Sequence, residues 1–142
     1  MSIELNIPVG TKGMATLVVG AEHTASHVGS GKIHVLATPV MINLFEAAAL
    51  AACEHLLPAG HQSLGTRLDV THTAATPIGM CVTAEAEVVS ASGRTIQFRL
   101  VARDSTEIIG KGQHERVVVN AEKFALRVAQ KSVAQEATFA KT

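Results

Sequence analysis

The chain has no tryptophan and no tyrosine, and its only aromatics are Phe45, Phe98, Phe124 and Phe139. Twelve Lys/Arg offset twelve Asp/Glu across 142 residues, so neither sign of charge is in excess. A nucleic-acid groove needs positive charge for the backbone and rings for the bases; with neither, no nucleic-acid partner is expected. Two cysteines, Cys53 and Cys81, are too few for a disulfide framework, which points to free thiols and a cytoplasmic location. The opening MSIELNIPVG lacks the basic and apolar regions of a secretory signal. The most apolar stretch, residues 36–53, is interrupted by Pro39, Asn43 and Glu46. A carboxylate in mid-span costs roughly 2.5–3.5 kcal/mol on insertion scales, so the stretch reads as a buried helix of a soluble protein, with no membrane partner. There is no nucleophile-elbow serine motif, no P-loop and no dinucleotide fingerprint. His23 and His27 are four apart but lie in a glycine-containing loop with no cysteine, so no metal or other cofactor is expected.

What is present is aliphatic: 47% of the residues are hydrophobic, mostly Ala, Val, Leu and Ile. A chain of this size forms one domain over residues 1–142 and buries roughly 68–70% of its unfolded surface. No repeat, linker or charge run divides it. A short apolar run at residues 14–19 reads as a strand, and residues 20–34, with three glycines and three histidines, as a loop. Thr38-Pro39 opens a helix, Thr as N-cap and Pro at the first position. It runs to about Leu57, before Pro58-Ala59-Gly60, and is apolar almost all round.

Periodicity then switches to two. In the next strand one face carries Leu64, Thr66, Leu68, Val70, His72 and Ala74, and the other Gly65, Arg67, Asp69, Thr71 and Thr73. A second strand turns Val82, Ala84, Ala86 and Val88 inward, and a third Ile96, Phe98, Leu100 and Ala102, with a hairpin at residues 90–93 between them. A turn at Asp104-Ser105 leads to a fourth, residues 108–120, and a tail helix with Phe124 and Val128 follows. Short connections make these four strands antiparallel neighbours in chain order. The fold class is α+β: a long helix against a curved antiparallel sheet. Exposed sheet edges and zero net charge favour a homodimer.

Glu46 is the one charge between Pro39 and Cys53. It either lies on a narrow solvated stripe or faces a partner, because an unpaired buried carboxylate is costly. His72 alternates onto the strand face that meets the helix. It is either a core histidine with one hydrogen bond or, sharing a cleft with Glu46, a proton-transfer group. The Thr38 hydroxyl either caps the helix or meets a carbonyl at its N-terminus. Gly110, Gly112, His114 and Arg116 share one strand face. Glycines there mark close approach of backbone or ligand, and Arg116 either binds a carboxylate or phosphate or pairs within the protein. Cys53, on an apolar helix, reads as core.

Four segments carry a resemblance: Thr38-Pro-Val-Met-Ile-Asn-Leu-Phe-Glu46, Ser63-Leu-Gly-Thr66, Val70-Thr-His-Thr-Ala-Ala-Thr-Pro77 and Gly112-Gln-His-Glu-Arg116. They resemble the hotdog-fold thioesterases of the fluoroacetyl-CoA thioesterase type over about residues 36–131. The resemblance implies a long central helix wrapped by a curved antiparallel sheet, a homodimer, and hydrolysis of an acyl-CoA substrate to carboxylate and CoA. It implies that Thr38, Glu46 and His72 are catalytic and that Gly65 and Arg116 contact substrate, the Gly65 N–H toward the oxyanion. The fluoroacetyl-specific enzyme carries a phenylalanine lid before its catalytic threonine; residues 27–37 here contain no phenylalanine. A small acyl group under a looser gate is therefore expected. A non-catalytic acyl-CoA or small-ligand binding protein on the same fold is the alternative, since one fold hosts many functions.

Overall fold

The computed structural model describes residues 3–140; the outermost two positions at each end of the expected domain lie outside them. Strand β1 (Lys12–Val18) is followed by a 3-10 turn, the short helix α1 (Ala25–Val28) and the long helix α2 (Thr38–Cys53). Then come β2 (His61–His72), β3 (Cys81–Ser92), β4 (Thr95–Arg103), β5 (Ile108–Asn120) and the terminal helix α3 (Ala121–Ala140). The five strands form one antiparallel sheet in the order β1-β3-β4-β5-β2.

The inner face is as the alternation requires. Val82, Ala84, Ala86 and Val88 on β3, and Ile96, Phe98, Leu100 and Ala102 on β4, are all buried with Met41, Phe45, Ala48, Ala49 and Ala52 of α2. The small side chains of α2 let β1 come directly onto the helix: a Cβ on Gly13 would collide with the Ala48 carbonyl and the Ala52 amide. Gly93, at φ 62°, opens the two-residue turn between β3 and β4, a backbone that favours glycine.

Four expectations need correction. β2 and β3 are not neighbours: β1 and β4 occupy the two edges of β3, so β2 pairs with β5 at the far side of the sheet. Residues 73–80 are therefore a crossing segment, laced to the chain before α2 by Leu36 N–H donating to the Thr76 carbonyl (2.9 Å). Second, a β-bulge between Gly65 and Arg67 resets the alternation of β2. Gly65 lies opposite Arg116 and Ser63 opposite Val118, on the face of Leu68, Val70 and His72, while Leu64 is 39% exposed on the other. Third, Ala37 is the cap of α2, Thr38 is its first helical residue, and the helix ends at Cys53 before a 3-10 turn, Glu54–Leu56. Fourth, the loop before α2 is partly helical, in the 3-10 turn at Ala21–His23 and in α1.

Candidate active site

The crossing segment and the chain before α2 together bring the end of β2 to the start of the helix. There the Thr38 hydroxyl lies 2.7 Å from His72 Nδ1, so it serves the imidazole rather than the helix end. The other ring nitrogen, Nε2, is buried without a hydrogen-bond partner among the described residues. Burial holds His72 below the usual histidine range, partly opposed by the Ala74 backbone, a shift that favours the neutral ring. Thr38 and His72 open onto a cleft of about 370 Å³ whose rim includes Lys32, Ile33, Leu36 and Ala74. That volume lies within the roughly 300–1,000 Å³ range of small-ligand sites.

Glu46 is two helical turns further along, roughly 12 Å from Thr38 at 1.5 Å per residue. Its Oε2 accepts from Arg116 Nη1 at 3.4 Å, with the arginine 5% and the glutamate 36% exposed at the side chain. Gly65 fits this pair: a Cβ on it would lie 2.6 Å from Glu46 Oε2 and 3.4 Å from Arg116 Nη1. Thr38 thus meets His72, and Glu46 lies against Gly65 and Arg116, but no hydrogen bond among the described residues joins the two groups.

Around Arg116 stand three residues that sequence reasoning left without a role. Ser63 takes Arg116 Nε on its hydroxyl (2.8 Å) and Nη2 on its carbonyl (3.0 Å). Glu54 accepts from the Ser63 N–H (2.9 Å) and from its hydroxyl (2.7 Å). His114 lies 2.8 Å from the Arg67 carbonyl through Nδ1 and 3.2 Å from Arg116 Nη1 through Nε2. Its parity with Arg116 is visible in the sequence; that of Ser63 is hidden by the bulge. Cys53 is buried beside this cluster, and burial, then the Glu54 carboxylate, push its thiol up to about 11 against Arg116 and Ser63. It is a neutral core thiol, as read from the helix pattern.

Gly110 and Gly112 are close-approach positions: Cβ atoms there would meet Met41 and the Thr71 carbonyl, and the Asp69 carbonyl, respectively. A larger depression of about 660 Å³ lies on the opposite face of the sheet among Arg67, Asp69, Arg99 and Lys111, and none of Thr38, Glu46, His72, Gly65 or Arg116 lines it. Among the described residues no cluster of three metal-ligating side chains is found.

Comparison with known proteins adds to this geometry. The family described as fluoroacetyl-CoA-specific thioesterase matches residues 19–122. The fluoroacetyl-CoA thioesterase of Streptantibioticus cattleyicolor is 47% identical over 100 residues, 70% of this chain and 72% of that protein. A solved structure of a fluoroacetyl-CoA thioesterase superposes with a TM-score of 0.83 at 39% identity, covering 89% of this chain and 98% of the other. A thioesterase superfamily member from Thermus thermophilus gives 0.86 at 26% identity, covering 92% and 97%.

Proposed function

This chain belongs to the fluoroacetyl-CoA-specific thioesterase family, and on that premise we propose how it works as an acyl-CoA thioesterase of the hotdog fold: Thr38, Glu46 and His72 carry the reaction. The observation that carries this reading is the 2.7 Å contact between the Thr38 hydroxyl and His72 Nδ1 at the mouth of a small-ligand cleft. His72 takes the proton of the attacking hydroxyl, that of Thr38 or of a water beside it, as the thioester carbonyl is attacked. When the C–S bond breaks, the proton goes to the CoA sulfur. If Thr38 has been acylated, water then releases the carboxylate by the same proton path. Glu46, paired with Arg116, orients the water and stabilises the imidazolium, and the Gly65 N–H faces the developing oxyanion.

The two halves of the site are completed by a second copy. The outer edge of β2 is unpaired among the described residues and is twelve residues long. An antiparallel pairing of two such edges about residues 66–67 sets His72 against the first half of the neighbouring β2, where Glu46 of the partner subunit stands with its arginine. His72 Nε2, buried and without a partner, is the atom that such a neighbour or the substrate would engage. No helix among the described residues is long and apolar enough to cross a membrane, and both cysteines are free; the location proposed is the cytoplasm.

The rim of the cleft, with Lys32 and Ile33 in place of any aromatic ring, suits a small acyl group without selective gating. A panel of acyl-CoA esters assayed by thiol release tests both points. Hydrolysis of acetyl-CoA and of other short esters is expected; strong preference for fluoroacetyl-CoA over acetyl-CoA would overturn the loose gate. Glu46→Gln and His72→Ala should each lower kcat by about 100-fold or more with the fold intact. If both variants hydrolyse a good substrate at the parental rate, the site is elsewhere. Thermal stabilisation by CoA esters with no thiol released by the parent would instead mark a binding protein.

A further inference from the structure

Arg116 is almost wholly buried, and every nitrogen of its guanidinium is engaged by a named atom. Nε and Nη2 are held by the hydroxyl and carbonyl of Ser63. Nη1 has two protons: one goes to His114 Nε2 (3.2 Å) and the other to Glu46 Oε2 (3.4 Å). The proton aimed at Glu46 is therefore directed by the acceptor that takes its twin. That acceptor must carry a lone pair, and the arrangement guarantees it. The Arg67 carbonyl can only accept, so His114 Nδ1 bears the ring proton and Nε2 is free to receive. Arg67 stands at the bulge of β2, where the regular ladder is interrupted. On the other side, Ser63 Oγ accepts from Arg116, so its own proton is committed to Glu54 Oε2, and the same carboxylate holds the Ser63 N–H through Oε1.

We infer that Ser63, Glu54 and His114 are positioning residues of the reaction, acting on Glu46 through the Arg116 guanidinium. This rests on the reading of Glu46 as catalytic. None of the three needs to touch substrate. Together they remove the rotational freedom of a long arginine whose tip is the one ion-pair partner found for Glu46 among the described residues. Displacement of a reacting group by about 1 Å can cost about 100-fold in rate, and the loss falls on kcat because Arg116, with every guanidinium nitrogen engaged within the protein, acts on the reaction through Glu46 rather than on the substrate.

Ser63→Ala removes the acceptor for Nε and the tie to Glu54, while Ser63→Thr keeps the hydroxyl. His114→Phe removes the acceptor for Nη1 but leaves a ring to stack on Phe98, whose centroid is 5.7 Å from that of His114. Steady-state thiol release is measured for all three beside the parent and Glu46→Gln. The expected result is a kcat lower by about 10- to 100-fold in Ser63→Ala and His114→Phe with KM within about twofold, most of it recovered in Ser63→Thr. Where Ser63→Ala does not fold, His114→Phe decides alone. A parental kcat in a folded variant, a loss confined to KM, or an equal loss in Ser63→Thr overturns the inference. An active Glu46→Gln would overturn the underlying site reading, whereas a dead Glu46→Gln beside parental Ser63 and His114 variants overturns the positioning role alone.

Discussion

Gly65 is defined by the side chain it lacks. A Cβ there would lie 2.6 Å from Glu46 Oε2, 3.2 Å from His114 Cε1 and 3.4 Å from Arg116 Nη1. The nearest of these is the free end of a flexible side chain, so the protein yields cheaply, and the yielding atom is the carboxylate oxygen of the proposed catalytic Glu46. Gly65→Ala should therefore melt close to the parent yet lose about 10-fold or more in kcat; a variant of parental activity would show that Glu46 has room to spare. The histidines make a second prediction. Burial, first among its causes, depresses both His72 and His114, and the Arg116 charge depresses His114 further against the Arg67 carbonyl and Glu46. In the unfolded chain both titrate near the ordinary value of 6.5 and bind more protons than in the folded state. Their contribution to stability is thus complete above that value and is lost as pH falls through the lower folded values. Urea midpoints measured from about pH 7.5 down to about pH 5 should fall, and less steeply in His72→Ala/His114→Phe. Glu46 and His72 were readable from the sequence because a lone charge and an imidazole interrupt apolar periodicity. Ser63 and Glu54 were not, since a serine on a strand and an acid after a helix are ordinary until their common arginine is seen.

The helix and its neighbouring strand depend on small side chains. Ala48 and Ala52 bring β1 so near that the Gly13 position abuts helix backbone, which cannot rotate aside. Gly13→Ala should destabilise the fold by about 1–3 kcal/mol, read as a lowered urea midpoint, with the site residues untouched. Alternation identified the inner faces of β3 and β4 because each is regular over its core-facing residues, the irregularity of β3 falling after Val88. It failed on the first half of β2 because one extra residue at the bulge inverts every side chain before it. The order of the strands failed for a different reason. A short connection ordinarily joins neighbours, but the edges of β3 were already taken by β1 and β4, a fact of pairing that no local pattern encodes.

At the level of the assembly, the separation of Thr38 and His72 from Glu46 leads to a complementation test. Glu46→Gln and His72→Ala homodimers should each be inactive. Mixed and allowed to exchange, half of the dimers are hybrids, and each hybrid has one site with both residues intact, so about a quarter of parental activity should return. Recovery would require the second copy; no recovery in a proven mixture would put Glu46 and His72 to work within one chain. Sedimentation of the parent checks the premise, with the mass of two chains expected.

Composition and periodicity were enough to expect an aliphatic core, a long buried helix and an antiparallel sheet, and to single out Thr38, Glu46, His72 and Arg116 as candidates. These are properties of side-chain type and local spacing, which a linear pattern carries. Folding in three dimensions decided which of them meet. It put Thr38 on His72 rather than on the helix cap, turned Gly65 inward through the bulge, sent β2 to the edge beside β5, and enclosed Arg116 between Ser63 and His114. Apart from the His114–Arg116 contact, those outcomes depend on pairing between residues dozens of positions apart, and a contact of that kind exists only once the chain has folded.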